Sequence, residues 1–415
     1  MAYLSEHKLK ELIKVTRGAS LSGQYFEEEG DLIRLTLGNF DYANGGFKLN
    51  TSKDNLYYSG PVADNFILNE GDIITPMTEQ TPGLLGSTAR IPESGKYIQS
   101  QDVGLVTCDE EMIDKDFCYY LLPSEIVKKQ LAAGAQQTKI RHTSPDKIEA
   151  CTVFIPKPNE QRKIGKLLST LDKLIDLKRK ENALLESMAR QIYDYWFVQF
   201  DFPNKDGKPY KSSGGKMVWN EKLKREIPEE WGDNILEDIA NITMGQSPEG
   251  GSYNDEGEGI LFYQGSTDFG VRFPKVRMYT TAPTRLAMKG DILMSVRAPV
   301  GAINIANANC CIGRGLASLN SKIGSITHLY FVILDLKSKF DQINRVGTTF
   351  GAINKDQLHA MQVVRPSNEI VKKFDLRVNG IFEKQMFIED EINELQSLRD
   401  YLLPLLMNGQ VTIKD

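Results

Sequence analysis

The stretch that decides the fold is residues 368–403, NEIVKKFDLRVNGIFEKQMFIEDEINELQSLRDYLL. Its predicted buried stripe consists of Val371, Phe374, Val378, Ile381, Gln385, Ile388, Ile392, Leu395, Arg399 and Leu402. Steps of three and four residues alternate along this stripe, which is typical of a coiled-coil helix. At 1.5 Å per residue the helix is roughly 55 Å long. Because a small domain cannot cover a stripe of that length, the sequence predicts a second helix as its partner.

A matching helix is predicted at residues 159–196. Asn159, directly after Pro158, is typical of a helix start, and Pro404 is expected to end or kink the other helix. The stripe of this helix, which Lys178 and Asn182 interrupt, is Ile164, Leu167, Leu168, Leu171, Leu174, Ile175, Leu185, Met188, Ile192 and Trp196. We expect the two helices to pair antiparallel. The alternative is that each packs within its own domain.

Each helix follows a stretch rich in short alternating runs, Gly and Pro, and these two stretches repeat one another. The aligned segments are 12–18 with 239–245 and 37–42 with 264–269 at an offset of 227, 70–74 with 289–293 at 219, 133–140 with 346–353 at 213, and 153–156 with 363–366 at 210. The falling offset is expected if the first copy carries short loop insertions. In this alignment Arg34 matches Leu261 and Asn39 matches Ser266, which indicates similar scaffolds with different surfaces.

The predicted fold class is α+β. Two repeated α/β domains with β-rich cores are separated by two long helices, which form an antiparallel coiled coil with pseudo-two-fold symmetry. The predicted segments are a first domain at 1–157, a helix at 158–200, a linker at 201–232, a second domain at 233–366, a helix at 367–408 and a tail at 409–415. The Gly-, Pro- and Lys-rich linker shows no sustained period.

Composition excludes several classes of protein. The chain has 415 residues, of which 41% are hydrophobic and 25% charged, and no apolar run approaches the ~20 residues that span a bilayer. The N-terminus lacks a signal-peptide pattern. Five cysteines without a C-x-x-C pair argue against a disulfide framework or a thiolate zinc site. We therefore expect a cytoplasmic protein with reduced thiols and no metal, in which His328 is packed rather than a ligand.

Charge is unevenly distributed along the chain. The net charge is −5, and residues 1–120 carry 10 Lys and Arg against 19 Asp and Glu. Residues 121–180 carry 13 Lys and Arg against 6 Asp and Glu. This basic stretch is consistent with a local phosphate-binding surface, and equally with a solvated helix face.

Sequence signatures of common catalytic sites are absent. The chain has no phosphate-binding P-loop, no dinucleotide fingerprint, no H-E-x-x-H and no nucleophile elbow. Neither an adenosylmethionine-binding glycine loop nor an Asn-Pro-Pro-aromatic run is present. The residues thus favour a two-site binding or scaffold protein over an enzyme.

Several segments resemble the specificity subunit of type I restriction–modification systems. The closest resemblance runs through 192–203, 207–215 and 227–231, and the segments 158–161, 245–248 and 290–301 are also similar to the family. Together the resemblance covers essentially the whole chain. The first copy departs from the pattern, since 71–76 has no arginine equivalent to Arg297.

The resemblance implies a function and a set of partners. Each β-rich stretch is a target recognition domain for one half of a bipartite double-stranded DNA target, and the helices set the spacer between the halves. Two methyltransferase subunits and two restriction (translocase and nuclease) subunits assemble on this scaffold. S-adenosylmethionine and ATP belong to those partners, and this chain carries no cofactor. The methyltransferases flip an adenine out of each half-site for N6 methylation.

Candidate base-contacting residues are polar side chains near glycines, because glycine permits close approach of the backbone. In the second copy they are Gln246, Ser247, Tyr263, Gln264, Ser266, Arg297, Arg314 and Thr348; in the first copy they are Ser22, Gln24, Arg34, Asn39, Gln136, Gln137, Lys139, Arg141 and His142. Arg297 and Arg314 have a rival role, which is to pin loops by donating to backbone carbonyls.

Two other functions remain open at this point. One is a non-enzymatic coiled-coil scaffold whose two β-rich domains bind proteins or glycans. The other is a self-sufficient methyltransferase, which the missing cofactor motifs disfavour.

Overall fold

The computed structural model describes residues 4–42, 44–51, 54–79, 83–134, 141–346 and 351–414. The chain divides into two compact units. The first comprises Met1–Asp176 and Glu394–Asp415, and the second comprises Leu177–Asn393. Both boundaries fall within long helices, so each unit combines one β-rich domain with a part of each helix. None of the described helices is both long and apolar enough to span a membrane.

The first unit contains two four-stranded sheets. The order in one is Ile13–Arg17, Val103–Cys108, Ile73–Pro76, Ala89–Arg90, and in the other Phe26–Glu27, Tyr57–Tyr58, Ile33–Arg34, Tyr97–Ile98. Smaller pairs are Ser5–Lys8 with Thr152–Ile155 and Thr78–Glu79 with Arg141–His142. The shorter helices are Lys115–Leu121, Glu125–Gly134 and Pro145–Glu149.

The second unit repeats this plan. One sheet has the order Ala240–Met244, Leu316–Ser321, Ile292–Ser295, Ile303–Ile305, and the other Tyr253–Asn254, Tyr279–Thr280, Ile260–Tyr263, Cys310–Ile312, Leu286–Ala287. Gly232–Ile235 pairs with Gln362–Arg365, and Met217–Asn220 pairs with Arg225–Pro228. The shorter helices are Leu236–Ile239, Ile326–Asp335, Lys337–Val346 and Lys355–His359. Because equivalent strands occupy equivalent places in both units, the predicted internal repeat is confirmed.

In each unit a Gly-Asp pair directly precedes an inner strand of a four-stranded sheet, Ile73–Pro76 in the first unit and Ile292–Ser295 in the second. Gly71 and Gly290 have φ values of 81° and 92°, a left-handed conformation that favours glycine. The next residue caps the turn: the carboxylate of Asp72 accepts from the N–H of Asn69 at 2.8 Å, and that of Asp291 from Met288 at 2.9 Å. The strands that follow are buried at every residue, since both faces are covered.

The two long helices run antiparallel in each unit. In the second unit the Lys178 ammonium lies 2.8 Å from Glu391, and the Asn182 amide donates to Glu389 at 3.2 Å. Partner numbers thus fall as residue numbers rise. In the first unit the Arg399 guanidinium bonds Asp172 at 2.9 Å. The predicted pairing of the helices is therefore confirmed within each unit.

The predicted stripes are buried with local exceptions. Phe374, Val378 and Ile388 are fully buried, and so is the polar residue Gln385. Leu174 and Met188, which the sequence placed in the stripe of the first helix, are exposed instead. Leu174 precedes buried Ile175, and two successive helical residues point about 100° apart, so only one of them faces the seam.

The ends of the long helices differ in detail from the sequence pattern. The first helix is Pro158–Tyr193, followed by one π-helical segment at Asp194–Val198. The second is Asn368–Met407. Pro404 does not end this helix, which continues to Met407, and the Asn408 N–H donates to the Pro404 carbonyl at 3.0 Å. The alternative, a kink at Pro404, stays a prediction.

The segment 201–232 is an ordered part of the second unit. Its Phe202 ring stacks on Tyr210 and on Trp231, with both centroid distances 4.7 Å. The Asp201 carboxylate accepts from the backbone N–H of Ser212 at 2.7 Å. Aromatic contacts between positions far apart in sequence leave no period, which is why the sequence indicated only a linker.

His328 is packed in the core of the second unit, as the sequence predicted. Its ring centroid lies 4.8 Å from that of Phe197 and 6.5 Å from that of Phe374. Burial lowers the pKa of His328 to about 4. The five cysteines are free thiols, and all but Cys108 are buried.

We predict that this histidine makes the second unit acid-sensitive. Between about pH 6.5 and 4 the unfolded chain binds a proton at His328 and the folded chain does not, so stability falls as the pH drops. The loss totals up to about 3 kcal/mol, at 1.36 kcal/mol per pKa unit. Urea unfolding from pH 7 to 4, followed by tryptophan fluorescence, measures it, because Trp196, Trp219 and Trp231 all lie in this unit.

His328→Gln should flatten the pH dependence over that range. The exposed His142 provides the control, since His142→Gln should leave the profile unchanged. Equal slopes in wild type and His328→Gln would show that other groups govern acid sensitivity.

Candidate nucleic-acid interface

Four loops of the second unit meet along one edge, which we call the second loop edge: residues 245–247, 264–266, 296–297 and 313–315. Backbone hydrogen bonds connect them. The N–H of Gln246 donates to Ile312 at 3.0 Å, that of Gly313 to Tyr263 at 2.8 Å, and that of Val296 to Gly315 at 2.9 Å. The loops therefore form one rigid surface at the ends of several strands.

Glycines allow the loops to approach this closely. A Cβ atom on Gly245 would lie 2.1 Å from the Gly313 carbonyl oxygen, and one on Gly315 would lie 2.5 Å from that of Gln264. Both contacts are with backbone atoms, which cannot move aside as a flexible side chain can. The glycines around Gln246, Gln264 and Arg314 thus serve loop packing.

A buried carboxylate orients the loop that carries Gln264. Asp268 accepts from the backbone N–H groups of Gln264 at 2.7 Å and Gly265 at 3.3 Å. These bonds close the 3₁₀ turn Ser266–Asp268. The Gln264 side chain then projects into solvent from a fixed backbone.

Four predicted residues present exposed side chains on the second loop edge: Gln246, Gln264, Arg297 and Arg314. None of the four side chains makes a hydrogen bond or ion pair within the described residues. The rival role of Arg297 and Arg314, pinning loops through their guanidinium groups, thus has no support among these contacts. Glutamine and arginine can each form paired hydrogen bonds with the edge of a base in the major groove.

The other predicted residues of the second copy have different surroundings. The Ser247 hydroxyl accepts from the Arg314 N–H at 3.3 Å, and Ser266 begins the 3₁₀ turn. Tyr263 is fully buried, burial raises the pKa of its phenol, and its hydroxyl donates to Asn307 at 3.3 Å. Tyr263 therefore supports the loops from below. Thr348 lies outside the described residues.

In the first unit the predicted residues are dispersed. Ser22 and Gln24 are exposed around the turn Gly23–Tyr25, and His142 is exposed at the end of a two-residue strand. The Arg141 guanidinium lies 3.7 Å from the buried carboxylate of Glu79. Three further candidates, Gln136, Gln137 and Lys139, lie outside the described residues.

Asn39 does not face solvent. It is buried and completes a capping box with Thr36, whose N–H donates to the Asn39 side chain at 2.9 Å. Asp268 makes the same contact in the second unit. The structural counterpart of Asn39 is thus Asp268, and the sequence match with Ser266 was wrong by two residues, because the segment from Arg17 to Asn39 is two residues shorter than the segment from Met244 to Asp268.

Arg34 takes the place of an aromatic residue. Its guanidinium lies 3.9 Å from the centroid of Phe26 and donates to the Asn55 carbonyl at 2.9 Å. Strand pairing makes Phe262 its counterpart rather than Leu261, and Phe262 stacks on Tyr253 at 4.9 Å. Partial burial lowers the pKa of Arg34. Arg34 therefore stacks on the scaffold in the way that Phe262 does.

One exposed residue was missed by the sequence analysis. Gln101 lies in the loop before Val103–Cys108, as Arg314 lies in the loop before Leu316–Ser321. The pairing of Gly104 with Arg17 and of Ala317 with Met244 makes them equivalent. Extending the offset of 213 from 133–140 back to this loop would have found Gln101.

Among the described residues no cluster of His, Cys, Asp and Glu could hold a metal ion.

One β-rich domain occurs twice, and each copy packs on antiparallel helices. The second copy also presents exposed amide and guanidinium groups on its loop edge. This arrangement is that of a two-site recognition protein. A family model described as the type I restriction modification DNA specificity domain matches residues 4–187 and 228–378. The chain therefore belongs to the family of type I restriction–modification DNA specificity subunits. This assignment selects DNA recognition over the alternative of a protein- or glycan-binding scaffold.

Similar proteins agree with this assignment. The specificity subunit named for the type I restriction enzyme MjaX of Methanocaldococcus jannaschii is 30% identical over 75% of this chain and 71% of its own length. The type I restriction enzyme EcoBI specificity subunit of Escherichia coli is 23% identical over 96% of this chain and 84% of its own. A crystal structure of the type I system S subunit from M. genitalium shares the fold, with a TM-score of 0.61 at 16% identity over 98% of this chain and 96% of that one.

We predict that Gly245→Ala disrupts the second loop edge. The added methyl group meets the Gly313 carbonyl, so the loops must separate at a cost of about 1–3 kcal/mol. Hydrogen exchange of the amides of Gln246 and Gly313 should accelerate, and urea unfolding should shift to lower concentration. Gly250→Ala is the matched control, because its Cβ would meet nothing within 4 Å. Unchanged protection in Gly245→Ala would contradict the close packing.

Proposed function

We propose that each domain of this chain recognises one half of a bipartite DNA sequence and that the helix pair sets the distance between the halves. The observation that supports this proposal is the repeat itself. One strand topology occurs twice, and its equivalent loops carry different side chains, such as Gln101 in one copy and Arg314 in the other. Two similar scaffolds with different surfaces suit two unlike half-sites.

The proposed contacts divide by chemistry. In the second domain Gln246 and Gln264 suit adenine, and Arg297 and Arg314 suit guanine or phosphate. In the first domain we propose Ser22, Gln24, Gln101 and His142 from the exposed residues, with Gln136, Gln137 and Lys139 retained as predictions. We propose that the half-buried Arg141 contacts phosphate. Asn39, Tyr263 and Arg34 serve the scaffold in this proposal.

We also propose the partners of this chain. Two methyltransferase subunits supply S-adenosylmethionine-dependent methylation of an adenine in each half-site, and two restriction subunits supply ATP-dependent translocation and cleavage. The family description names a DNA specificity domain, which supports a non-catalytic role for this chain. The complex acts in the cytoplasm, where chromosomal DNA is accessible.

Single substitutions on the second loop edge should change recognition of one half-site only. We predict that Gln264→Ala or Arg297→Ala, expressed with the cognate methyltransferase, relaxes one base position by about 1–3 kcal/mol. Methylome sequencing measures this as methylation at sites that differ from the wild-type motif at that position. The other half-site and the spacer should stay unchanged.

Arg365→Ala is the matched control, since Arg365 is an exposed arginine in a different sheet. A wild-type methylome without a two-part adenine motif would refute the proposed function. An unchanged motif in both loop variants would refute the assigned residues while leaving the function standing.

The charge distribution gives a second prediction. Because residues 1–120 are acidic, much of the phosphate neutralisation should come from partner subunits. We expect the purified lone chain to bind DNA weakly, with a shallow dependence of log K on log salt, and the complex with methyltransferase to show a steeper slope of about −0.9 per added phosphate contact. Fluorescence anisotropy of labelled DNA, measured at salt concentrations from about 50 to about 200 mM, gives both slopes. Tight, steeply salt-dependent binding by the lone chain would contradict it.

A further inference from the structure

Arg272 is a buried arginine that connects the second loop edge to the long helices. It lies four residues after Asp268, in the loop that follows the Gln264 turn. Its side chain is only 7% exposed, although the preceding residue, Val271, is 83% exposed. A charged side chain turned inward from a surface loop requires partners that compensate the loss of hydration.

The partners of Arg272 come from three helices of the second unit. Its Nη2 lies 2.5 Å from the Glu186 carboxylate on the first long helix. The guanidinium carbon also lies 5.4 Å from the ring centroid of Phe382 on the second long helix and 5.5 Å from that of Tyr330 on Ile326–Asp335. Glu186 in turn accepts from the Gln385 amide at 2.9 Å. One guanidinium therefore joins the loop that follows the Gln264 turn to both members of the helix pair.

The loop that carries Arg272 is stiff on its other side. The Gly270 N–H donates to Asn304 at 3.0 Å, and Asn304 donates back to the Gly270 carbonyl at 3.2 Å. The Ile305 N–H donates to the Arg272 carbonyl at 2.8 Å. Phe273 completes the attachment by packing in a small core with Ile305 and Phe382. The loop is thus held by the long helices on one side and by the strand Ile303–Ile305 on the other.

The first unit also attaches the equivalent loop to the long helices, but there the arginine lies on the helix and not in the loop. Phe40 bridges to Phe47 as Phe269 bridges to Pro274, so the loop that follows Phe40 corresponds to the loop that follows Phe269. Here the arginine is on the helix: Arg399 donates to the Asn44 carbonyl at 3.2 Å and to Asp172 at 2.9 Å. Two unrelated sets of residues thus make the same connection, which argues that the connection itself matters.

We propose that Arg272 is a positioning residue that fixes the second recognition domain on the helix pair and thereby sets the spacer length at which its half-site is accepted. The proposal rests on the proposed function. One base pair of spacer moves a half-site by roughly 3.4 Å and turns it by about 35° around the duplex. A domain held by the ion pair of buried Arg272 with partly exposed Glu186 rejects that displacement, whereas a domain that can pivot accepts it.

The test compares spacer selectivity in the complete methyltransferase complex. Once methylome sequencing gives the wild-type motif, methylation rates are measured on duplexes with the native spacer and with one base pair added or removed. Arg272→Met should lower the ratio of native to altered-spacer rates about tenfold, within the usual range of coupling between sites. Glu186→Gln should lower it similarly, and the double variant should add little, because both changes remove one interaction.

Two further variants separate positioning from simple destabilisation. Arg272→Lys keeps the charge opposite Glu186 but not the stacked guanidinium, and it should therefore retain more of the selectivity than Arg272→Met. Lys275→Met removes an exposed cation from the same segment and should leave the ratio at its wild-type value. Base preference within each half-site should not change in any of them.

Equal loss of methylation at all spacers in Arg272→Met and Glu186→Gln would overturn the proposal, because it would show a merely structural role. Should Arg272→Met fail to fold, the Glu186→Gln ratio decides, since that carboxylate is partly exposed and its replacement keeps the side-chain shape. A wild-type complex without a bipartite motif would refute the proposed function itself, a result visible before any variant is made.

Discussion

Two helices of 36 and 40 residues carry apolar stripes that must be removed from water along their length. Burial of that surface stabilises the chain by roughly 25 cal/mol for each Å² removed from water. In each unit the helices bury this surface by pairing antiparallel, and the domain packs onto the pair. Phe374 and Val378 lie in the core of the second unit, and Leu168 and Leu406 lie in the core of the first. In each unit a loop is also tied to this pair, through Arg272 in the second unit and through Arg399 in the first.

A polar layer within the seam restricts how the helices can align. Gln385 is fully buried, and its amide donates to the Asn182 carbonyl at 3.3 Å and to Glu186 at 2.9 Å. Burial raises the pKa of Glu389, and the charge of Arg272 opposes that shift. A shift of one helix along the other would leave these groups unpaired in an apolar seam, which is costly. Apolar residues thus stabilise the pair, and the polar layer fixes its register.

Periodic features of the sequence predicted the fold well, and loops were predicted poorly. The coiled-coil stripe depends on local spacing, and the repeat appears when the chain is compared with itself, so one sequence suffices to find both. Asn39 and Tyr263 carry the polar groups expected of base contacts, yet the surrounding strands bury them. Local sequence does not reveal which loop lies above which. Gln101 is found from the sequence only when the repeat offset of 213 is extended back to its loop. The buried position of Arg272 depends on Glu186, 86 residues away along the chain.

The division of the chain also has a consequence for its synthesis. The second unit is one continuous segment, Leu177–Asn393, whereas the first needs Glu394–Asp415 to cover its core with Leu406 and Met407. A ribosome makes those residues only after the whole of the second unit. The domain made first therefore waits for Glu394–Asp415, while the domain made later can complete its own interior sooner, so the order of maturation is the reverse of the order of translation.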